Sequence, residues 1–301
     1  MSKSVLVIGG NGYIGSRLCY DLQYVYHLDS VDVCWFGKNL VDSFQEDYKN
    51  LTKEYLSKFD TVILLAGHSS VKMCDGSINS SWYNNVLNFI NLVEKLDKEQ
   101  TLIYASSGSL YGISNKIQTE DDVIKFKPIN NYDLTKYSLD LNAHKFINQG
   151  YKIVGLRFGT VNGWSPHIRE ELMINSMTKN SIEHNQLTVN NIQINRPILG
   201  ISDLSRAIVC IINNPKSGIY NLASFCDTVD NISQTISDIT GSHINRIADT
   251  TNNYDFNFSV DKFKQTFNFE FQDSTTSLVN EIITNVDSTI FGNRNQFKLY
   301  E

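Results

Sequence analysis

The chain has 301 residues, of which 41% are hydrophobic and 19% charged, a composition typical of a soluble globular protein. Its net charge of −6 argues against a nucleic-acid-binding surface, which usually carries a basic patch. No apolar run reaches membrane-spanning length, no secretory signal is recognisable, and the five cysteines lack metal-ligand spacing or a disulfide framework, so we expect a cytoplasmic protein without a metal or a membrane partner.

The first predicted element is a buried strand that runs into a glycine-rich turn and then a helix. An apolar run at 5–8 leads directly to Gly9, Gly12 and Gly15, and apolar residues at helical spacing follow. In dinucleotide sites such glycines permit the turn, let the backbone approach a pyrophosphate, and let helix and strand pack closely. The helix N-terminus then offers free N–H groups to the phosphates. The segment therefore predicts a dinucleotide site.

A second strand is predicted at 30–36. Dinucleotide folds commonly place an acidic residue near the end of this strand, where it grips the adenosine ribose. By register that position falls near Gly37 and Lys38, whereas Asp32 lies early in the strand. Lys38 either pairs with a 2′-phosphate or is an ordinary solvated lysine. The sequence therefore leaves the cofactor open between NAD and NADP.

Strand and helix signals then alternate along the chain. A buried strand at 59–68 ends in small residues, which allow a ligand close to the backbone, and a helix is predicted at 80–96. The next strand, at 101–107, ends at Ser107. This alternation is typical of an α/β fold with a doubly wound parallel sheet, in which ligands bind beyond the carboxyl ends of the strands. Ser107 is therefore predicted to face a ligand.

A tyrosine and a lysine follow, four residues apart, in a helix predicted to run from 131 to about 148. Tyr132 and Lys136 therefore share one helix face. To act as a base near neutrality, a tyrosine needs its pKa to fall by roughly 3 units, and a neighbouring ammonium and a positive nicotinamide ring both favour the phenolate. Tyr132 is predicted to take a hydroxyl proton, Lys136 to lower that pKa and bind the ribose, and Ser107 to hold the substrate oxygen.

In this order the motifs resemble those of the extended short-chain dehydrogenase/reductase family, in particular its NAD-dependent sugar-nucleotide epimerase/dehydratase group. The resemblance covers residues 4 to about 222. Besides the glycine turn and the Tyr132/Lys136 pair, the matching segments are Leu65-Ala66-Gly67, Asn85-Val86, Ser106-Ser107, Leu110-Tyr111-Gly112, Leu156-Arg157-Phe158, and Arg196 with Asp203-Leu204. The resemblance implies a Rossmann-like dinucleotide-binding domain, at 1–160 plus about 197–222. It also implies a smaller α+β C-terminal substrate domain, at about 161–196 plus 223–301.

Binding residues and partners follow from the same resemblance, together with the patterns above. The cofactor is expected on Gly9, Gly12, Tyr13, Ile14, Gly15, Lys38, Leu65, Ala66, Gly67, Tyr132 and Lys136. The nucleotide-sugar substrate is expected on Ser107, Thr160 and Arg196, where Arg196 matches the arginine that often contacts the substrate diphosphate. In this family a pair of helices often forms a dimer, so the segments 80–97 and 132–149 predict a homodimer.

The chain departs from the family pattern beside the predicted catalytic serine. Dehydratases of this family usually follow the catalytic Ser or Thr with Asp-Glu, which transfer protons during water elimination, whereas Ser107 is followed by Gly108 and Ser109. Neither residue supplies that acid or base, which disfavours a dehydratase and also a related decarboxylase group with a glutamate there. Thr160 replaces a family asparagine and Asn131 replaces a proline, so the motifs leave the sugar open.

The sequence therefore favours a nucleotide-sugar 4-epimerase, in which Tyr132, Lys136 and Ser107 support transient oxidation at C4 of the sugar. An NADPH-dependent 4-keto-sugar reductase is the alternative, and Lys38 is its motivation. A non-catalytic dinucleotide-sensing protein is a third hypothesis. Such proteins typically lose the tyrosine or the lysine, and both are present here.

Overall fold

The computed structural model describes residues 2–35, 37, 42–114, 116–125, 128–249, 255–288 and 290–292. Its strands are β1 Ser4–Ile8, β2 His27–Asp32, β3 Phe44–Gln45, β4 Thr61–Leu64, β5 Thr101–Ser107, β6 Ile117–Gln118, β7 Lys152–Phe158, β8 Thr160–Asn162, β9 His167–Arg169, β10 Gln186–Val189, β11 Asn195–Gly200, β12 Gly218–Leu222, β13 Phe225–Thr228, β14 His243–Arg246, β15 Asn257–Phe258 and β16 Ile290–Gly292. Its α-helices are α1 Tyr13–Leu22, α2 Lys53–Leu56, α3 Val71–Gly76, α4 Ile78–Trp82, α5 Asn88–Lys95, α6 Asn131–Asn148, α7 Met173–His184, α8 Ile201–Asn213, α9 Val229–Thr240, α10 Asp261–Phe267 and α11 Thr275–Thr284. Short 3-10 turns lie at Tyr48–Asn50, Gly108–Tyr111, Glu120–Lys125 and Val286–Ser288, and a π turn at Tyr83–Leu87.

Seven parallel strands form the large sheet, in the spatial order β3-β2-β1-β4-β5-β7-β12. In the middle of this order, Val7 of β1 lies between Ser30 of β2 and Ile63 of β4. The chain moves outward from β1 in one direction through β2 and β3, and then in the other direction from β4 onward. This confirms the predicted doubly wound α/β fold, and it places the switch point, where such sheets bind ligands, at the carboxyl ends of β1 and β4.

The apolar run of β1 is buried on both faces of the sheet, because successive side chains of a strand point in opposite directions. Val5 and Val7 belong to the apolar core that includes residues of α1 and α8. Leu6 and Ile8 belong to the core that includes residues of α5 and α6. Helices therefore cover both faces, and only the strand ends remain for binding.

The chain after β7 adds a smaller part with its own apolar core. In this part β11 pairs with β8 and β13, and β10 pairs with β14. Helices α7, α9 and α11 pack together over Ile174, Ile232 and Leu278. Helix α8 and strand β12 return to the large sheet, whereas β11 stays in the smaller sheet. The division near residues 160, 197 and 222 stays a prediction.

The helix predicted at 80–96 is interrupted by the π turn between α4 and α5. Within this turn the side chain of Asn85 is buried and bridges two segments. Its Oδ1 accepts a hydrogen bond from the backbone N–H of His68 at 2.8 Å, and its Nδ2 donates to Oγ1 of Thr135 at 3.1 Å. π turns are frequent at functional sites, so this turn indicates that a functional site lies nearby. Helical periodicity in the sequence does not reveal the turn.

A buried charged network joins α6 to the sheet. The carboxylate of Asp140 lies 2.8 Å from Nε of Arg157, and each side chain is 2% exposed. Asp140 also accepts a hydrogen bond from the phenol of Tyr104 at 2.8 Å, and Arg157 donates to the phenol oxygen of Tyr111 at 3.0 Å. Because both charges have several partners, the pair is tolerated in the interior and fixes α6 against β5 and β7.

We expect Arg157→Met to lower the free energy of unfolding by about 3–5 kcal/mol, because the Asp140 carboxylate would remain buried without its cation. Urea denaturation measures this change. The matched control is Arg246→Met, which breaks a 2.7 Å pair with Asp230 whose side chains are 44% and 35% exposed. That exposed pair should contribute about 0–1 kcal/mol. Equal losses in both variants would contradict the role given to the buried pair.

Candidate active site

The carboxyl ends of β1, β2, β4, β5 and β7 open into one cavity, together with the start of α1 and residues of the smaller part. Every predicted site residue that the structure describes lines this cavity: Gly9, Gly12, Tyr13, Ile14, Gly15, Leu65, Ala66, Gly67, Ser107, Tyr132, Lys136, Thr160 and Arg196. Lys38 lies outside the described residues. The structure thus brings together residues far apart in sequence, and their individual roles stay predictions.

The turn between β1 and α1 and the first turn of α1 have no room for a side chain at Gly9 or Gly15. Gly9 has φ +97°, and a Cβ there would lie 2.7 Å from the backbone nitrogen of Ala66. A Cβ on Gly15 would lie 2.0 Å from the carbonyl oxygen of Gly9. Gly12 is the N-cap of α1, so no side chain caps the first N–H groups of this helix. A close-fitting backbone cradle at a helix N-terminus suits a pyrophosphate group.

Asp32 is the last residue of β2 and lines the cavity. Its Oδ2 accepts a hydrogen bond from the backbone N–H of Asn11 at 2.9 Å, and its Oδ1 accepts one from the N–H of Cys34 at 2.6 Å. The structure thus corrects the predicted register: the strand ends here, and Cys34 turns the chain with φ 59°, before Gly37 is reached. The carboxylate stands where dinucleotide folds bind the adenosine ribose.

The segment after β4 forms the wall opposite the glycine turn. The backbone N–H groups of Leu65 and Ala66 both donate to the carbonyl of Ile8, at 2.9 and 3.0 Å. Gly67 has φ +153°, and a Cβ there would lie 2.7 Å from Oδ1 of Asn85. Small residues are therefore required at this wall, as the sequence predicted.

Lys136 is buried, and its Nζ donates a hydrogen bond to the carbonyl of Ala105 at 2.7 Å. The same nitrogen lies 5.8 Å from the ring centre of Tyr132. Burial lowers the pKa of Lys136 to about 8, and the nearby Asp140 carboxylate opposes this. The two predicted catalytic groups thus meet at the cavity, and the ammonium is held against the end of β5.

Burial also acts on Tyr132, which is partly exposed to the cavity. Burial raises the pKa of Tyr132 to about 12. The Asp133 carboxylate adds to this rise, whereas a hydrogen bond with Ser107 and the charge of Arg169 oppose it. The sequence predicted a lowered pKa next to a lysine. In the chain by itself, the cost of burying a phenolate is the larger effect.

Ser107 is connected to two residues whose roles the sequence did not reveal. Its Oγ lies 2.8 Å from Oγ of Ser109 and accepts a hydrogen bond from the Ser109 N–H at 3.2 Å. Oγ of Ser109 in turn donates to Oδ1 of Asp133 at 2.5 Å. In the sequence, Ser109 is notable only because it stands where the dehydratases of this family have an acid. Asp133 carries no motif signal, and only the placement of α6 beside the 3-10 turn brings it near Ser107.

Two arginines from the smaller part of the chain line the cavity. Arg169 pairs with Glu171 at 2.7 Å and donates to the carbonyl of Ser69 at 3.5 Å. Arg196 stands on β11, opposite Asp227 of β13. Guanidinium groups that line a cavity suit an anionic ligand, and they bind phosphates well. Arg169 lies outside every motif, so the sequence offered no signal for it.

The described part of the chain was also compared with the requirements of a metal site, a membrane span and a disulfide. Within it, no group of three or more His, Cys, Asp or Glu side chains is arranged to hold a metal ion. None of the described helices combines the length and the apolar character needed to cross a membrane. The five cysteines, all within the described residues, form no disulfide: Cys19, Cys34, Cys74, Cys210 and Cys226.

Comparison with known proteins matches residues 5–223 to the NAD dependent epimerase/dehydratase family. Protein CapI from Staphylococcus aureus is 27% identical over 238 residues, which cover 71% of this chain and 70% of that protein. UDP-glucuronate 4-epimerase 1 from Arabidopsis thaliana is 26% identical over 242 residues, which cover 71% of this chain and 56% of that protein. The chain thus spans little more than half the length of the plant relative.

Solved structures share the fold. UDP-glucuronic acid 4-epimerase from Bacillus cereus, in complex with UDP-glucuronic acid and NAD, has a TM-score of 0.80 at 22% identity, over 94% of this chain and 98% of that one. UDP-glucose 4-epimerase from Thermotoga maritima, with UDP-glucose, has a TM-score of 0.82 at 20% identity, over 94% of this chain and 99% of that one. An NAD-dependent NDP-hexosamine 5,6-dehydratase has a TM-score of 0.83 at 17% identity, over 95% of this chain and 98% of that one. At such identities the likeness shows the fold alone.

We expect Gly15→Ala to weaken dinucleotide binding about 10-fold or more, because a Cβ forced against the turn costs about 1–3 kcal/mol and displaces the cradle. Isothermal titration calorimetry measures the affinity, and a thermal melt verifies folding. The control is Gly76→Ala, since a Cβ at this helical glycine meets nothing within 4 Å. Unchanged affinity in a folded Gly15→Ala protein would contradict the assignment of this turn.

Proposed function

Because this chain belongs to the NAD-dependent epimerase/dehydratase family, of the extended short-chain dehydrogenase/reductase type, we propose that it is a nucleotide-sugar 4-epimerase with NAD as its cofactor. One observation carries the proposal: Ser107, Tyr132 and Lys136 line the same cavity as the glycine turn. The positions after Ser107 lack the acids of the dehydratases, and 4-epimerases are among the relatives named above.

NAD rather than NADP suits the end of β2. The carboxylate of Asp32 accepts hydrogen bonds from the hydroxyls of an adenosine ribose, whereas it repels a 2′-phosphate. The tight turn around Gly9 and Gly15 suits the pyrophosphate, because a Cβ at either glycine would collide with backbone. The NADPH-dependent reductase thereby loses support, and Lys38, its motivation, lies outside the described residues.

The reaction divides between the cofactor and this chain's residues. NAD, when bound, supplies the reversible removal and return of a hydride at C4 of the sugar, which lets that carbon invert. Tyr132 takes the C4 hydroxyl proton at its phenol oxygen and gives it back. Ser107 holds the same substrate oxygen as charge develops on it. Lys136, with a pKa of about 8, keeps most of its positive charge at neutral pH.

The pKa of Tyr132 in the chain by itself is too high for it to act as a base near neutral pH. Its pKa of about 12 must fall by roughly 5 units to approach neutrality, which corresponds to about 7 kcal/mol. A positive charge brought into the cavity with the cofactor favours the phenolate. Activity should therefore depend on cofactor loading, rise with pH as Tyr132 ionises, and fall again as Lys136 loses its proton.

The smaller part of the chain is proposed to bind the nucleotide diphosphate. Arg169 and Arg196 belong to this part, line the cavity and suit a pair of phosphates, and Thr160 lines the same cavity in the role of a sugar contact. The interleaved division into a dinucleotide domain and a substrate domain belongs to this proposal.

A cytoplasmic homodimer is also proposed, through the helices that flank the active site. Large apolar side chains are exposed on them: Tyr83 at 63% and Leu87 at 44% in the π turn, and Leu134 at 36% and Leu141 at 52% on α6. Leu134 and Leu141 are two turns apart and share a face. We expect a dimer in sedimentation velocity and a monomer after Leu141→Glu. A wild-type monomer would contradict the proposal.

The test of the reaction is an assay of the NAD-loaded protein with UDP-glucose and with UDP-glucuronic acid, followed by NMR of the sugars. We expect the C4 epimer to form without net consumption of cofactor. Tyr132→Phe should lower the rate about 10²–10⁴-fold while NAD binding persists, because the base is lost. Tyr137→Phe, on the same helix, is the matched control. Net oxidation of NADPH in the presence of a 4-keto sugar would favour the reductase. An unchanged phenotype of the Tyr132→Phe variant would favour the non-catalytic dinucleotide-sensing protein.

We expect Asp32→Asn to reduce the preference for NAD over NADP about 10-fold or more, because a charged hydrogen-bond acceptor for the ribose is lost together with its repulsion of phosphate. Calorimetric titration of each dinucleotide gives the ratio. Asp29→Asn makes the same change at an exposed position of the same strand and should leave the ratio as it is. A wild-type preference for NADP would contradict the role of Asp32.

A further inference from the structure

A histidine of the smaller part of the chain contacts the glycine turn. His167, the first residue of β9, is 6% exposed, and its Nδ1 lies 3.1 Å from the backbone carbonyl oxygen of Asn11. A carbonyl oxygen only accepts hydrogen bonds, so Nδ1 carries a proton and donates it. The contact therefore determines which ring nitrogen of His167 is protonated, and it joins two residues that are 156 positions apart in the chain.

Asn11 is held from two sides. Its backbone N–H donates to Oδ2 of Asp32 at 2.9 Å, while its backbone carbonyl accepts the hydrogen bond from His167. Asn11 itself is buried, whereas the next two residues, Gly12 and Tyr13, line the cavity. Because Gly12 is the N-cap of α1, the peptide group that His167 binds is the one that leads into this helix.

The orientation of this peptide group decides which partial charge the turn presents to an anion. Its oxygen is bound by His167, and its N–H, which belongs to Gly12, donates to the carbonyl of Gly9 at 3.2 Å. With both ends held inside the protein, the N–H groups at the start of α1 are what the turn offers to a phosphate. A carbonyl oxygen turned into the cavity would instead repel a pyrophosphate.

We propose that His167 is a positioning residue of the dinucleotide site, which holds the Asn11 carbonyl and thereby keeps the start of α1 in the conformation that binds the pyrophosphate of NAD. This inference rests on the proposed function, in which NAD binds at the glycine turn. His167 acts through Asn11 and not by touching the cofactor. The smaller part, expected from the sequence to bind the substrate, in this way completes the cofactor site.

Other contacts between the two parts stay in place when the His167 side chain is changed. Oγ of Ser165 donates to the carbonyl of Tyr13 at 2.7 Å and lies 2.8 Å from Oγ of Ser16, and Arg17 donates to the carbonyl of Trp164 at 2.8 Å. These contacts hold the first turn of α1, whereas His167 holds the residue before its N-cap. A variant of His167 therefore tests the turn without separating the two parts of the chain.

The decisive experiment compares NAD binding by the wild-type protein, His167→Leu and His167→Asn in calorimetric titrations. His167→Leu removes the donor at a similar side-chain volume, and His167→Asn retains an N–H donor close to the position of Nδ1. We expect His167→Leu to weaken NAD binding about 5- to 20-fold, because a buried carbonyl without its donor lets the turn leave the binding conformation. His167→Asn should stay within about 2-fold of the wild-type affinity. Unchanged affinity in a folded His167→Leu protein, or equal weakening in both variants, overturns the inference.

Phosphorus NMR of bound NAD gives a readout that a general loss of stability would not change. The resonances of the pyrophosphate depend on the N–H groups that contact it. We expect the signals of NAD bound to His167→Asn to coincide with those of the wild-type complex, and those of NAD bound to His167→Leu to be displaced. Coinciding signals in all three complexes overturn the inference.

Nitrogen NMR of protein with isotope-labelled histidine tests the hydrogen bond in the absence of NAD, and His167→Asn identifies the signal. We expect His167 to be protonated at Nδ1. A neutral ring protonated at Nε2 overturns the inference and leaves the proposed function intact. A folded wild-type protein that does not bind NAD contradicts the proposed function, and the inference is withdrawn with it. Thermal melts verify that each variant is folded.

Discussion

Helix α6 is held to the end of strand β5 by the hydrogen bond from the Lys136 ammonium to the Ala105 carbonyl. One helical turn further, the buried Asp140–Arg157 pair ties the same helix to β7. These two contacts determine where Tyr132 stands relative to Ser107. A side chain that takes a proton must be positioned within a few tenths of an ångström, and a helix fixed at two successive turns provides this more securely than a loop.

The parallel sheet explains why residues so distant in sequence meet. All strands of the large sheet point in the same direction, and so the turn after β1, the carboxylate of Asp32 and the hydroxyl of Ser107 emerge at one edge. The smaller part closes this edge with Arg169 and Arg196. The result is a cavity lined by a backbone cradle, the carboxylate of Asp32, the predicted catalytic residues and two arginines. This set of groups suits a dinucleotide together with a nucleotide sugar.

Local patterns carried much of the prediction. The glycine turn was readable because only glycine avoids the collisions seen at Gly9 and Gly15, and the Tyr132/Lys136 face followed from helical spacing. Asp32 was misplaced because the end of β2 depends on a turn with positive φ at Cys34, which the apolar run conceals. Arg169 lies outside every motif, and the Ser109–Asp133 contact joins two segments that are distant in sequence, so both required the packed structure. The π turn that contains Asn85 was not predicted, because the apolar residues of segment 80–96 keep helical spacing in the sequence.

The central claim is that Tyr132 and Ser107 act together on the C4 oxygen of a nucleotide sugar, beside a dinucleotide on the glycine turn. A crystal structure of the protein with NAD and UDP-glucose tests it most directly. We expect the phenol oxygen of Tyr132 and Oγ of Ser107 both within hydrogen-bonding distance of the C4 oxygen. A phenol directed away from the sugar, or a sugar bound with a different carbon at this position, would contradict the claim.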